Sequence, residues 1–197
     1  MKNVMRIELI MAVAMVAVPA MAGDGVTVGD TAPAFTLNDT AGTEVSLGDF
    51  EGKIVVLEWL NPDCPFVQRH YKAGTMKDLA TKYDGEGVVW LTINSTNYMD
   101  AAANAKFKAD NGLSYTILVD QSGDVGHLYA AKTTPQMYII DGNGTLVYIG
   151  AIDDDPRGNK GEPAVNHVAV ALDEVLAGQA VTTAETKPYG CSVKYKE

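Results

Sequence analysis

The chain has 197 residues, 47% hydrophobic and 20% charged, a balance that excludes a disordered or fibrous protein. Its 25 acidic residues outnumber 15 basic ones, and the formal charge of −10 repels phosphate backbones and argues against nucleic acid as a partner. Two cysteines, Cys64 and Cys191, are too few for a disulfide scaffold and too far apart for a C-x-x-C pair or a compact zinc knuckle.

Lys2 and Arg6 lead into a small apolar stretch, Ile7 to Ala20, broken early by Glu8. Ala20-Met21-Ala22 then places small residues at the two positions a signal peptidase reads, so residues 1–22 are expected to be a secretory leader cleaved after Ala22. The apolar run falls short of the roughly 20 residues a membrane span needs, so no stable membrane insertion is expected. The mature chain is accordingly expected in the periplasm or outside the cell. Residues 23–178 read as one domain and residues 179–197 as a tail without clear periodicity.

Phe35-Thr36-Leu37 and Glu44-Val45-Ser46 flank an Asn/Asp/Gly-rich turn and predict a short N-terminal β-hairpin. Lys53 to Leu60 is an apolar, β-branched run suited to a strand buried on both faces. From Pro65 to about Tyr83 apolar residues and His70 recur at helical spacing, with the proline suited to the first turn. Gly87 to Ile93 predicts a second core strand, and Met99 to Asn111 a helix that Gly112 caps. Gln136 to Ile140 and Thr145 to Ile149, joined by Asp141-Gly142-Asn143-Gly144, predict another hairpin. Beyond a polar loop from Asp153 to Glu162, Val165, Val168, Leu172, Val175 and Leu176 mark a last amphipathic helix ending at Gly178. A β-α-β unit followed by a hairpin and a helix predicts an α/β architecture, a central mixed β-sheet flanked by helices.

Cys64 lies between a buried strand and the first turn of a helix, among Asn61, Pro62, Asp63 and Pro65, which suit a surface loop. Unpaired backbone N–H groups there stabilise a thiolate, and such positions lower a cysteine pKa from about 8.5 into the range ~3.5–7.5. The thiolate is the form that attacks disulfides and peroxides. Glu58 interrupts the apolar strand. It either sits at an edge or pairs with Lys53 or another lysine, or it is buried, takes up a proton and acts as a proton acceptor near the thiol. Pro135, after Thr133-Thr134, marks a strand boundary or a cis Thr134–Pro135 bond. The three histidines, His70, His127 and His167, are scattered, and five of the eight methionines fall within residues 1–21, so neither pattern predicts a metal site or another cofactor. Asp153-Asp154-Asp155 reads as a solvated acidic turn, and Asn94-Ser95-Thr96 matches a glycosylation sequon.

The segment VGDTAPAFTLNDTAGTEVSLGDFEGKIVVLEWLNPDCPFV resembles the opening of redoxin-type proteins. That group holds the thiol-specific antioxidant proteins (alkyl hydroperoxide reductases and peroxiredoxins) and the thioredoxin-like oxidoreductases. TTPQMYIIDGNGTLVYIGAIDD and the final helix extend the resemblance over nearly all of the mature chain. It implies a thioredoxin-like fold and an oxidoreductase acting on a protein disulfide or a peroxide, renewed by an external thiol or a thioredoxin-type reductant. The family's buried acid, six residues before its first cysteine, falls on Glu58, and its cis-proline beside the thiol falls on Pro135. Thr134 and Pro65 complete the substrate-binding positions that the resemblance implies.

Thioredoxins carry a second cysteine where this chain has Val67, which removes local dithiol exchange. Peroxiredoxins place their peroxide-attacking cysteine at the position of Val67 and a threonine at that of Cys64, and their Pro-x-x-x-Thr-x-x-Cys pattern is absent. The match is to a peroxiredoxin-like branch with a lone cysteine of thioredoxin type. That branch ends in Gly-Cys-x-(Val/Ile)-Lys-aromatic, here Gly190-Cys191-Ser192-Val193-Lys194-Tyr195. It implies Cys64 as nucleophile, Glu58 as proton relay, and Cys191 as resolving cysteine on a flexible tail that folds back over the helix from Pro65. The alternative is a non-catalytic binding module in which a permanent Cys64–Cys191 disulfide staples the tail, with copper binding as a further option.

Overall fold

The structure, a computed structural model, describes residues 25–161 and 164–196, so the expected leader lies outside the described residues. Nine strands are numbered in chain order: β1 (Thr36–Asp39), β2 (Glu44–Ser46), β3 (Ile54–Trp59), β4 (Val88–Asn94), β5 (Thr116–Val119), β6 (Thr133–Thr134), β7 (Gln136–Ile140), β8 (Leu146–Gly150) and β9 (Cys191–Ser192). Seven of them form one mixed sheet in the order β2-β1-β5-β4-β3-β7-β8, while β6 pairs with β9 alone. β3 lies in the interior of the sheet because Val55, Val56, Leu57 and Trp59 carry apolar side chains to both faces, none more than 2% exposed. It runs parallel to β4 and antiparallel to β7, with Glu58 opposite Thr92 on one side and Met137 on the other.

Helices α1 (Pro65–Lys72), α2 (Thr75–Asp84) and α5 (His167–Leu176) cover one face of the sheet. Val67, Met76, Tyr83, Val168 and Leu172 meet Val56, Leu60 and Met137 there. α4 (Asp124–Leu128), a 3-10 turn over residues 47–50 and the chain around Phe35 cover the other, where Val193 and Tyr195 of the tail also pack. α3 (Ala101–Asp110) lies beside β5 and sets Phe107 edge-on to Tyr71, with ring centroids 4.9 Å apart. The central mixed sheet, its flanking helices and the N-terminal hairpin are as the sequence predicts. No helix among the described residues is long and apolar enough to cross a membrane.

The single helix expected from Pro65 to Tyr83 is two. Gly74 adopts a left-handed conformation (φ 79°) that ends α1 and opens α2, and the change of direction lets both helices bury one side. β5 and α4, of four and five residues, are too short to show periodicity and were not expected. The last helix starts at His167 rather than near Val165, because the Asn166 side chain accepts from Ala169 N at 2.9 Å and Val165 stays 45% exposed.

The tail differs most from expectation. Instead of a loose segment it is an extended strap anchored along its length. Thr186 Oγ1 accepts from Ala151 N at 2.8 Å, Val193 N donates to Lys132 O, and Lys194 O accepts from Asn97 N. Tyr195 donates to Ala131 O and stacks on His127 at 4.0 Å. Backbone and aromatic anchors of this kind carry no sequence period, which is why the segment read as unstructured.

Candidate active site

β3 delivers the chain through a short turn to Cys64, which occupies the N-cap of α1, with Pro65 at the first helical position. Proline has no N–H to waste there, and the next N–H groups of the helix point back toward the sulfur. Cys64 is 1% exposed, not on an open loop as its polar neighbours suggest, and as a thiol it donates to Thr134 O at 3.0 Å. Burial raises its proton affinity. The Cys191 thiol, the Val67 N–H, the Thr134 hydroxyl and the Cys191 N–H together outweigh burial and hold the Cys64 pKa below its ordinary value.

Cys191 meets Cys64 because β9 pairs antiparallel with β6, placing Cys191 opposite Thr134. The two are free thiols. Burial, its hydrogen bond to Cys64 and the charge on Cys64 push the Cys191 pKa up to about 11, with Lys194 acting weakly the other way. Of the two thiols, Cys64 therefore gives up its proton the more readily. Gly190 makes the approach feasible. With φ 143°, its backbone lies so near that a Cβ would sit 2.0 Å from Thr134 O. Gly190→Ala is expected to lift β9 from β6, and backbone strain of about 1–3 kcal/mol corresponds to a roughly 5- to 150-fold faster alkylation of Cys64. Timed capture with iodoacetamide, read by mass spectrometry, measures it.

The Thr134–Pro135 peptide is cis, so the boundary position is also the cis-proline position that the resemblance implies. Thr134 is fully buried, with its carbonyl on Cys64 and its hydroxyl toward Cys191 O. Pro65 is exposed and, with Phe66, Arg69, Pro156 and Arg157, lines a shallow depression of about 360 Å³ beside Cys64. The backbone of Thr134, which a substrate strand could pair with, is occupied by the chain's own β9.

Glu58 is fully buried on the interior strand β3, neither at an edge nor paired with a lysine. Its carboxylate accepts from Trp90 Nε1 at 2.9 Å, Tyr71 Oη at 3.0 Å and Thr92 Oγ1 at 3.3 Å. Burial pushes its pKa up to about 7 against the pull of those three donors. It lies on the sheet face covered by α1, and neither cysteine is among its hydrogen-bond partners. The structure thus joins Cys64, Cys191, Thr134 and Pro135 directly, and leaves Glu58 as a separate buried acid.

A second polar cluster adjoins the cysteines and was not expected. Tyr189, two residues before Cys191, places its hydroxyl among Asp153, Arg69 and His70. The one hint in the sequence is an aromatic residue directly before Gly190-Cys191. His70 is packed against Arg69 and Tyr189. Burial first, then Arg69, lowers its pKa to about 4 against Asp153 and Asp155. The acidic turn is a folded loop whose carboxylates are engaged internally, Asp155 by the Asn159 and Lys160 N–H groups and Asp154 by Lys160 and Val165. Among the described residues no group of three or more His, Cys, Asp or Glu could hold a metal. Asn94 of the sequon is fully buried and donates to Asn104, which leaves no room for a glycan.

In sequence, the chain is 33% identical over 122 residues to the thiol-disulfide oxidoreductase ResA of Geobacillus thermodenitrificans, covering 61% of this chain and 67% of that protein. It is 30% identical over 145 residues to the chloroplastic peroxiredoxin Q of Oryza sativa subsp. japonica, covering 70% of this chain and 64% of that protein. In structure, an uncharacterized conserved protein from Geobacillus kaustophilus superposes with a TM-score of 0.79 at 30% identity, over 92% of this chain and 98% of that one. The fold is thioredoxin-like. Residues 28–149 match the AhpC/TSA family.

Proposed function

The chain belongs to the AhpC/TSA family, and on that premise we propose that it is an extracytoplasmic thiol–disulfide oxidoreductase with Cys64 as nucleophile and Cys191 as resolving cysteine. The observation that carries this reading is the contact between two thiols of opposed proton affinity, one of them at a helix N-terminus. The Cys64 thiolate attacks one sulfur of a substrate disulfide R–S–S–R′, forming Cys64–S–S–R and expelling R′–S⁻. Cys64 then no longer carries charge, and two of the three causes that raise the Cys191 pKa disappear with it. Cys191 loses its proton, attacks the Cys64 sulfur, expels R–S⁻ and closes the internal disulfide. Two electrons have passed from the cysteines to the substrate, and an external dithiol of thioredoxin type returns them.

In this scheme Glu58 is the proton relay for the proton that Cys191 gives up, acting at one remove because neither cysteine is among its hydrogen-bond partners. Its affinity near neutrality suits a group that must both take and return a proton. Thr134, Pro135 and Pro65 frame the approach of the substrate disulfide. The leader-like residues 1–22 support the extracytoplasmic setting. A peroxide is the weaker substrate because a buried Val67 stands where peroxiredoxins carry their reactive cysteine.

The test is the reduction potential of the Cys64–Cys191 pair in glutathione buffers. A value near −120 to −270 mV, the range of catalytic disulfides, is expected. A value below about −300 mV would make the pair a staple and remove the mechanism.

A further inference from the structure

Resting on the reading that Cys191 resolves Cys64, we infer that Tyr189, gripped by Arg69 and Asp153, is a positioning clasp that holds Cys191 on Cys64 and shuts Cys64 away from bulky substrates. The Tyr189 hydroxyl donates to Asp153 Oδ1, accepts from Arg69 Nη2 at 3.1 Å and lies 3.0 Å from His70 Nε2. Its ring packs on Phe66, with centroids 5.9 Å apart, and under the Arg69 guanidinium at 5.7 Å. Arg69 is itself fixed, donating to Asp155 O at 2.9 Å and Pro156 O at 3.1 Å. Phe66, Arg69 and His70 all belong to α1, the helix whose N-cap is Cys64. One rigid element thus carries the nucleophile at its start and the seat for the tail one to two turns on.

Between seat and resolver there is only Gly190, whose close approach to Thr134 leaves the backbone little slack. Val193 and Tyr195 hold the strap on the far side of Cys191. With the phenol seated, Cys64 is 1% exposed, so a bulky disulfide reaches it only when β9 lifts. After attack, the return of Tyr189 to its seat brings Cys191 back to the mixed disulfide. The clasp therefore opposes the first step and promotes the second.

The experiment follows both steps on reduced full-length protein with the aromatic disulfide dithiobis(nitrobenzoate), which yields one coloured thiolate when Cys64 attacks and a second when Cys191 closes the internal bond. Tyr189→Phe keeps the ring and removes the hydroxyl. It is expected to speed the first phase and slow the second, each by roughly tenfold, since a hydrogen bond to a charged group is worth at least that factor. Asp153→Asn, which keeps an acceptor for the phenol but not the charge, is expected to move both phases the same way by less. A merely structural tyrosine would move both rates together or neither, and either result overturns the clasp while leaving the resolver reading standing. If wild type and Tyr189→Phe alike end with an aromatic adduct on each cysteine and no internal disulfide by mass, the resolver reading falls and the clasp with it.

Discussion

Cys64→Ser is expected to abolish disulfide reduction, lowering multiple-turnover activity by at least about 10³-fold, the scale on which removing a nucleophile acts. The physical reason lies in the donors around Sγ. The Val67 N–H, the Thr134 hydroxyl and the Cys191 N–H and thiol stabilise a charge that a serine hydroxyl does not develop at neutral pH. Serine still fits the N-cap and can donate to Thr134 O, so the variant is expected to fold. Cys191→Ser should behave differently. The first attack survives and releases one equivalent of product. The mixed disulfide then waits for an external thiol, because the neighbouring sulfur that acted at high effective concentration is gone. Reduction of insulin by a dithiol, read once as a burst and once at steady state, separates the two variants. Full activity in Cys64→Ser would place the chemistry elsewhere.

Glu58→Gln carries the other large effect, and it has opposite signs for stability and for turnover. The Glu58 pKa rises from an ordinary 4.5 to about 7 in the folded protein. A group held above its unfolded value contributes fully below pH 4.5, and that contribution is lost as pH rises through 7. At 1.36 kcal/mol per unit, the wild type forgoes about 3 kcal/mol across this window. The glutamine carries no charge to bury and keeps one oxygen for the Trp90 N–H, so at pH 8 the variant is expected to be more stable by up to about 3 kcal/mol. Urea midpoints between pH 4.5 and 8 measure this. Above pH 7, where wild-type Glu58 is ionised and can accept a proton, the resolving step should slow by about 10²-fold, the lower end of general acid–base contributions, and the break near pH 7 should be lost. Unchanged turnover with raised stability would leave Glu58 a buried acid without part in the reaction.

Much of the fold was legible along the chain because it depends on local patterning. The β-branched run of β3 needs both faces covered, and Asp141-Gly142-Asn143-Gly144 closes the β7–β8 hairpin with little outside help. Pro65 marked the start of α1, and with it the helix terminus at which Cys64 sits. The unusual residues were legible too, since a carboxylate in a dry strand and a thiol before a helix stand out against their surroundings.

What the sequence by itself determined is thus which groups can react: a thiol before a helix, a carboxylate within an apolar strand, and a second thiol 127 positions away in the chain. Only the tertiary structure decided how they meet. Whether Cys191 touches Cys64 depends on a two-residue pairing of β9 with β6, on a glycine passing beside Thr134, and on a phenol seated between Arg69 and Asp153. Each is a contact between segments far apart in sequence, made through backbone atoms or single side chains, and such contacts leave no period or spacing to read. Glu58 is the converse case. Its oddity was plain from the strand, yet its proton affinity is set by burial against the pull of Trp90, Tyr71 and Thr92, which only the packed sheet and helix bring about. The identity of a group is a property of the chain, whereas its burial and its partners, which fix its charge at a given pH, are properties of the packing.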